Sequence, residues 1–463
     1  MKKIFLVLIF GTIAAIAGYF IGKTAKQLGP VLTGYGAKCM CSSVFVGERE
    51  EASILENELG SFPLSLGTYS IDYQDSMAIG TVFGLAKAVA VYRDGLGCTL
   101  AREISPQEFR KKGRFKVPRP VVPDTLSWPL GTGMADTVFE SIDYEVLRSA
   151  VNESFEEYDP EVKRNTRAVV VAYKGELIHE KYRKGFDQNS PQIGWSMTKS
   201  VTNAMIGNLS LQGKIDVFNR APIDEWADPE DPRSAITVDQ LLRMSSGLDW
   251  VEDYTTSSPA TDMLYKSADM AKAAIGVPLK HKPDEVWYYS SGTTNILSYI
   301  VRKKLDAEYH LFPYENIFNK LRMRTVVIEP DVSGTYVGSS YMWASARDWA
   351  RFGQLYLNDG LWYNERILPP GWVAYSVSPT AGAPMGEYGA QIWLNAGEPG
   401  NPSNRIYPDA PADLFMFDGF EGQRVFVIPS YELVIVRLGQ NSSDAFDFNK
   451  FLKNILQAFK KDR

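Results

Sequence analysis

Ser196-Met197-Thr198-Lys199 opens an apolar run and sets a hydroxyl and an amine three residues apart. On a helix that spacing stacks both groups on one face, with Cβ atoms within about 5–6 Å of each other. A serine so placed can hand its proton directly to the lysine, so nucleophile and base come from one turn. An N-cap serine followed by a solvated lysine is the competing reading of the same four residues. The residues that surround this pair, and those further along the chain, decide between the two.

Upstream, Thr166–Tyr173 and Glu176–Tyr182 read as strands joined by Lys174-Gly175, a two-residue hairpin turn. Before them Asp143 can cap a helix that runs to about Phe155. Downstream, the Ser196 helix ends near Gly213, whose missing Cβ suits a C-terminal cap. A largely helical middle follows over 237–360. Strands are then expected at Gln391–Leu394, Leu414–Phe417, Arg424–Ile428 and Leu433–Leu438, with a last helix over Phe446 to Lys460. Strands at both ends with helices between predict an α+β fold, one antiparallel sheet built from the two ends of the domain with a helical insert against it. Pro118, Pro120, Pro123 and Pro129 break regular structure and mark a linker. The segment 24–117 reads as a small α+β extension, with a strand pair Ala88–Tyr92 and Cys98–Ala101 joined by Arg93-Asp94-Gly95-Leu96. The expected division is therefore 1–23, an extension with its Pro-rich linker over 24–135, and a main domain over 136–463.

Composition narrows the class. The chain has 463 residues, 45% hydrophobic and 22% charged, which describes an ordinary globular protein. A formal net charge of −6 gives no electrostatic reason to expect nucleic acid as a partner. Lys2-Lys3 precede an uncharged apolar run, Ile4 to Ile21, that ends at Lys23. This run fits either a retained membrane anchor or a cleaved signal, with Ala15-Ile16-Ala17 as the small-residue site, and both export the body of the chain. Three cysteines suit an exported protein. A bridge from Cys41 or Cys39 to Cys98 would close a loop of about 57 residues, worth up to about 4 kcal/mol in the chain-entropy model. Three free thiols remain the alternative.

The chemistry is framed first by what is missing. His179, His281 and His310 are the only histidines, and the string around the serine, Gly194-Trp195-Ser196-Met197-Thr198, is not a G-x-S-x-G elbow. A Ser-His-Asp triad is poorly supported, and no ligand spacing calls for a metal or other cofactor. If Ser196 reacts, its base is an amine or a phenolate. Trp287-Tyr288-Tyr289-Ser290-Ser291-Gly292 supplies a phenol: an aromatic approach ends in small polar residues before a helix, which presents Tyr289 and Ser291 to a cleft. Gly419-Phe420-Glu421-Gly422-Gln423 lies between two strands, where Gly419 lets backbone approach a substrate and an edge amide can donate to an oxyanion.

Taken in order, S-x-x-K, Y-x-S and a glycine-bearing strand resemble the serine β-lactamase-like superfamily, in its class C and family S12 branch. The strings Ile236 to Leu248, Ala346 to Gly353 and Gly360-Leu361-Trp362 share its flavour, and the resemblance covers roughly residues 140–460. Within it the chain looks most like the aminohexanoate-dimer hydrolases and related esterases, which carry Y-x-S where β-lactamases carry Y-x-N. Their substrate-facing tyrosine in a Glu-Asp-Tyr string is matched by Glu252-Asp253-Tyr254. Where lactamases have K-T-G this chain reads Phe417-Asp418-Gly419, so the lysine that holds a β-lactam or peptide carboxylate is absent. The resemblance implies a three-layer α/β/α fold with an all-helical subdomain, and hydrolysis of a small ester or amide through an acyl-enzyme on Ser196. Lys199 and Tyr289 would share the proton, the amides of Ser196 and Phe420 would hold the oxyanion, and Ser291 would steady the network. D,D-peptidase or β-lactamase activity, and a non-catalytic scaffold of the same fold, are the rival readings. A partner-binding or membrane-docking role for the 24–117 extension is a third.

Overall fold

Thr166-Arg-Ala-Val-Val-Val-Ala-Tyr173 is rich in β-branched residues, and every one of its side chains is buried, as a strand covered on both faces requires. In the computed structural model this segment is β1 (Thr166–Tyr173), the fifth of six antiparallel strands. Its partners are β2 (Glu176–Tyr182), β3 (Trp393–Leu394), β4 (Phe415–Gly419), β5 (Gln423–Ile428) and β6 (Leu433–Gly439). The spatial order is β3-β4-β5-β6-β1-β2, so the two ends of the domain meet where β6 pairs with β1, from Leu433 opposite Tyr173 to Gly439 opposite Thr166. Lys174 and Gly175, both at positive φ, close the β1–β2 hairpin. The structure describes residues 26–84, 86–134, 136–159, 162–442 and 445–460. The apolar segment 1–23, expected as anchor or signal, lies outside them. Among the described residues no helix is long and apolar enough to cross a membrane.

Alternation along the strands builds two helical layers. Val169, Val171, Met416, Phe426, Leu433 and Ile435 share one core with α1 (Tyr144–Glu153) and α5 (Phe448–Leu456). Asp143 caps α1 as expected, its carboxylate accepting from the N–H groups of Glu145 and Val146 at 3.1 Å. The opposite face meets α4 (Ala346–Leu357), where a Cβ on Gly353 would press into Val434 and Val425. The helix carrying Lys199, α2 (Thr198–Leu211), is buried along nearly its whole length. It ends in a Schellman pattern, Gly213 N donating to Ser210 O and Lys214 N to Leu209 O at 2.9 Å each, with Gly213 at positive φ. This is a three-layer α/β/α arrangement in an α+β chain.

Two expectations need adjusting. The strand expected over Gln391–Leu394 begins only at Trp393, because Gln391 takes a left-handed backbone (φ 62) and turns its side chain to Thr294 and Leu242. The helical middle is also interrupted by a small sheet, in which Met342–Ala344 pairs with Gln192–Ile193 and Val327–Ile328.

The chain divides into two compact units. The one holding the six-stranded sheet spans 115–250, 271–330 and 334–463, so the Pro-rich stretch belongs with it instead of ending an extension at 135. The reason lies on α4: Arg347 donates to Thr132 O at 2.6 Å, and Arg351 donates to Pro129 O at 2.9 Å and Gly131 O at 2.8 Å. Trp128 is buried beside them. The other unit comprises, among the described residues, those of 26–114, 251–270 and 331–333. It contains a helix over 26–45 and a four-stranded meander, Gly67–Asp72, Met77–Val82, Ala86–Arg93 and Gly97–Leu100. A disulfide joins Cys41 of the helix to Cys98 of the last strand, and Cys39 stands 4.0 Å from Ser43 Oγ.

Candidate active site

Ser196 sits in a single 3₁₀ turn, Trp195–Met197, immediately before α2. Trp195 has φ +46, a region that bulky residues rarely occupy, so the outlier stands one residue before the serine. Its surroundings hold it there. Gly194 N donates to Met342 O at 2.8 Å, and Thr198 Oγ1 donates to Trp195 O at 2.7 Å while accepting from Met342 N at 3.1 Å. A Cβ at Gly194 would collide with the Trp349 ring, so only glycine fits at the entry to the turn.

One turn on, Lys199 is buried, with 2% of its surface exposed. Its ammonium has three donors, and the structure provides three acceptors at 3.0 Å: Ser196 Oγ, Ser291 Oγ and the carbonyl oxygen of Ser339. The competing reading of Lys199 as a solvated surface group is thereby excluded. Lys199 Nζ lies 4.8 Å from the ring centroid of Tyr289. Ser291 opens α3 (Ser291–Leu305), and the capping role belongs to its neighbour, Ser290, whose Oγ accepts from Thr293 N at 3.0 Å. The Ser291 hydroxyl accepts from Lys199.

The walls are aromatic. The Tyr289 ring stands 5.4 Å from Trp393 and 5.8 Å from Tyr388, in a cluster with Trp287, Met244 and Ala383. On the strand side, a Cβ at Gly419 would strike the carbonyl oxygen of Gly194, so β4 passes directly against the turn that carries Ser196. Phe420 follows Gly419 with its ring 61% exposed and edge-on to Trp195 at 5.8 Å. Glu421, at φ +60, accepts from Trp195 Nε1 at 3.4 Å. Phe417, at the lysine position of K-T-G, packs its ring on Phe352 and Tyr356 at 5.1 Å each. Asp418 pairs with Arg424 at 2.7 Å; burial pushes its carboxyl up, against the pull of Arg424 and Lys199.

Tyr254 lies in the other compact unit, half exposed, with its hydroxyl donating to Glu252 at 2.7 Å. Three contributors were not anticipated. Ser339 acts through its carbonyl, which leaves no mark in a sequence. Asn295 orients that peptide, its Oδ1 accepting from Ser339 N at 3.2 Å. It falls four residues after Ser291 on one helix face, a spacing that could have exposed it. Arg437, fully buried on β6, donates to the carbonyls of Glu421 (3.3 Å) and Gly422 (2.9 Å) and fixes the turn carrying Phe420. Among the described residues no group of three or more His, Cys, Asp and Glu side chains is placed to hold a metal ion.

The family model Beta-lactamase matches residues 151–458. The chain belongs to that family. The Beta-lactamase segment thus spans every residue of the cluster around Lys199. Among relatives, a 6-aminohexanoate-dimer hydrolase from Paenarthrobacter ureafaciens is 26% identical over 298 residues, covering 59% of this chain and 72% of its own length. A Bacillus anthracis structure provisionally described as a 6-aminohexanoate-dimer hydrolase aligns at 21% identity and TM-score 0.53, over 75% of this chain and 86% of its own. A family VIII carboxylesterase aligns at 15% identity and TM-score 0.51, over 68% and 96%. These two structural likenesses bear on the fold, which is β-lactamase-like. At the family level the chain is a β-lactamase-related hydrolase.

Proposed function

We propose that this chain is a serine hydrolase that cleaves a small ester or amide through an acyl-enzyme on Ser196. The observation that carries the reading is the buried Lys199 ammonium, 3.0 Å from both Ser196 Oγ and Ser291 Oγ and set against the Tyr289 ring. A free lysine (pKa about 10.4) or tyrosine (about 10) is protonated at pH 7 and is a poor base. Placed together away from water they change each other, since desolvation disfavours the ammonium and the ammonium favours a phenolate. The pair then titrates as a unit with one mobile proton.

Ser196 Oγ attacks the carbonyl carbon as its proton passes to the Lys199–Tyr289 pair. The negative oxygen formed is held by the backbone amides of Ser196 and Phe420, each donor worth roughly 3 kcal/mol. Collapse of the tetrahedral centre breaks the bond to the alcohol or amine, which leaves with a proton returned by Tyr289. Water, deprotonated by the same pair, then releases the acid and restores Ser196. Ser291, Ser339 and Asn295 hold the lysine in register. The aromatic walls favour an apolar acyl chain. The side chain at 417 is a packed phenylalanine, not a cation, so the site lacks the grip on a carboxylate that a penicillin or peptide terminus requires. The relatives named as aminohexanoate-dimer hydrolase and carboxylesterase agree with an amide or ester substrate. Export or anchoring through 1–23 is part of the proposal, supported by the Cys41–Cys98 bridge, which persists in oxidising compartments.

The test is hydrolysis of p-nitrophenyl butyrate beside nitrocefin. Butyrate turnover should greatly exceed nitrocefin turnover, and Ser196→Ala should lower it by about 10⁴-fold or more. Unchanged turnover in Ser196→Ala removes the nucleophile. Nitrocefin as the better substrate restores the lactamase reading.

A further inference from the structure

The disulfide-bearing unit is polarised along its strands. Gly67 pairs with Val82 at one end of the meander, and Asp72 pairs with Met77 at the other, roughly 17 Å away. The helix over 26–45 runs between these ends. Its start lies at the first, since a Cβ on Gly29 would meet Ala86 Cβ at 3.0 Å and Ala86 pairs with Val82. Its last residue, Phe45, reaches the second, stacked on Tyr92 at 5.1 Å and edge-on to Tyr73 at 6.1 Å. The chain therefore enters this helix, shortly after the apolar run Ile4 to Ile21, at the Gly67–Val82 end.

The same end exposes bulky apolar side chains. Phe62 is 80% exposed, Phe83 72% and Leu66 40%. Leu66 immediately precedes Gly67 and Phe83 immediately follows Val82, so the strand pairing itself sets the two residues side by side. Phe62 belongs to the loop that leads into Gly67, and that loop is pinned. Tyr69 donates its hydroxyl to Leu64 O at 2.9 Å, and Ser65 N donates to Ser61 O at 3.0 Å. Single exposed apolar residues are ordinary, but three on one edge form a patch that calls for a cover. Neither 59–71 nor 77–86 contains a charged residue, and the helix and the third strand begin with exposed Lys26 and, one residue in, exposed Lys87. The far end is acidic: Glu51, Asp72, Asp75 and Asp94 stand there against Arg93 and Arg110.

We propose that the Gly67–Val82 end docks on a lipid bilayer, with Phe62, Leu66 and Phe83 in its interfacial layer and Lys26 and Lys87 at anionic headgroups. Aromatic rings are favoured at the level of the headgroups, and a lysine beside an anionic leaflet is attracted to it. The inference builds on the membrane placement proposed for 1–23 and goes beyond it, from attachment to orientation. A chain that leaves the bilayer through the start of the helix brings this patch to the surface and turns the acidic end away. A second copy of the chain would cover the same residues, and the experiment separates the two.

The full chain, in a Cys39→Ser background, is reconstituted into phosphatidylcholine–phosphatidylglycerol vesicles. A nitrobenzoxadiazole probe is attached at Ser65→Cys, beside the patch, or at Asp94→Cys, at the far end. Lipids carrying a nitroxide just below the headgroup should quench the probe at 65 about 5-fold more strongly than the probe at 94. Phe62→Ser with Phe83→Ser should abolish that difference while p-nitrophenyl butyrate is hydrolysed at the parent rate. Equal quenching at the two sites, or a difference that survives the double variant, overturns the proposal. So does a spectral shift at 65 that needs no vesicles and grows with protein concentration, the mark of a second copy. Extraction with alkaline carbonate tests 1–23 separately: release of a chain whose probe at 65 was quenched refutes the anchor and leaves the docking in place.

Discussion

Two buried cations, Lys199 on α2 and Arg437 on β6, show why burial of charge does not by itself mark a catalytic group. Lys199 donates to two hydroxyls and one carbonyl at 3.0 Å. Arg437 donates to the carbonyls of Gly422 and Arg164, to Asn441 Oδ1 and to Thr166 Oγ1, at 2.6–3.0 Å, and its guanidinium lies over the Phe446 ring. Burial pushes Arg437 down from the ordinary arginine value, and Arg424 and Arg164 push it the same way. Even so a guanidinium does not give up its proton in a protein, whereas a desolvated lysine can. Three of Arg437's partners carry no exchangeable proton; one of Lys199's is the candidate nucleophile. The same electrostatic expense supports a backbone frame in one place and a proton relay in the other.

The contrast is sharpest in Lys199→Met, which keeps length and volume. It should lower p-nitrophenyl butyrate turnover by about 10³-fold with the fold intact, since it removes the base. A loss of stability with near-normal turnover per folded molecule would make Lys199 another frame residue like Arg437. Tyr289→Phe, which retains the ring contacts, should follow with a loss of about 10²- to 10³-fold in kcat and little change in Tm. A pH–rate profile identical to the parent's would remove its proton-transfer role. Arg437→Met should reverse the pattern, destabilising the chain by about 3 kcal/mol because several buried acceptors lose their donor. Activity should fall further, through the loosened Phe420 turn, and urea unfolding read beside kinetics separates the two effects. If Tm is unmoved, the frame role is wrong.

The smallest effect concerns Glu157, which braces the peptide that Arg437 grips by accepting from the N–H groups of Arg164 and Asn165 at 2.7 and 2.8 Å. Burial pushes its carboxyl up, but these amides and Arg183 outweigh it and hold it below the usual carboxylate range. A folded pKa below the unfolded value means stability present above about pH 4.3 and lost as pH falls through the lower, folded value. Because its side chain is one-third exposed, solvent screening keeps the effect under about 1 kcal/mol. Glu157→Gln should therefore lower Tm slightly at pH 7 and converge with the parent as the pH falls through the lowered, folded value. A gap that persists in acid would mean that the ionised form is not what matters.

How much of this could be read from sequence depended on whether a residue's signal is local. The β1–β2 hairpin, the Asp143 cap and the Gly213 stop are written in a few adjacent residues. The meander strands Gly67–Asp72 and Met77–Val82 were not anticipated, because Gly, Ser and Thr dilute their alternation. Nor was the capture of 251–270 and 331–333 by the disulfide-bearing unit, a pairing of distant segments that no window reveals. In the site, side chains left their trace and backbone did not: Ser196, Lys199, Tyr289 and Ser291 are legible as a motif, while the Ser339 carbonyl is silent. Arg437 is the intermediate case. A lone charge inside Leu433-Val-Ile-Val-Arg-Leu438 is a visible anomaly, but only the fold says which carbonyls surround it.

Treatment of the full chain with a fluorophosphonate, followed by intact mass and peptide mapping, addresses the central assignment most directly. One adduct is expected, on Ser196, strongly diminished in Lys199→Met and absent in Ser196→Ala. An adduct on another residue, or undiminished labelling of Ser196→Ala, would contradict the account.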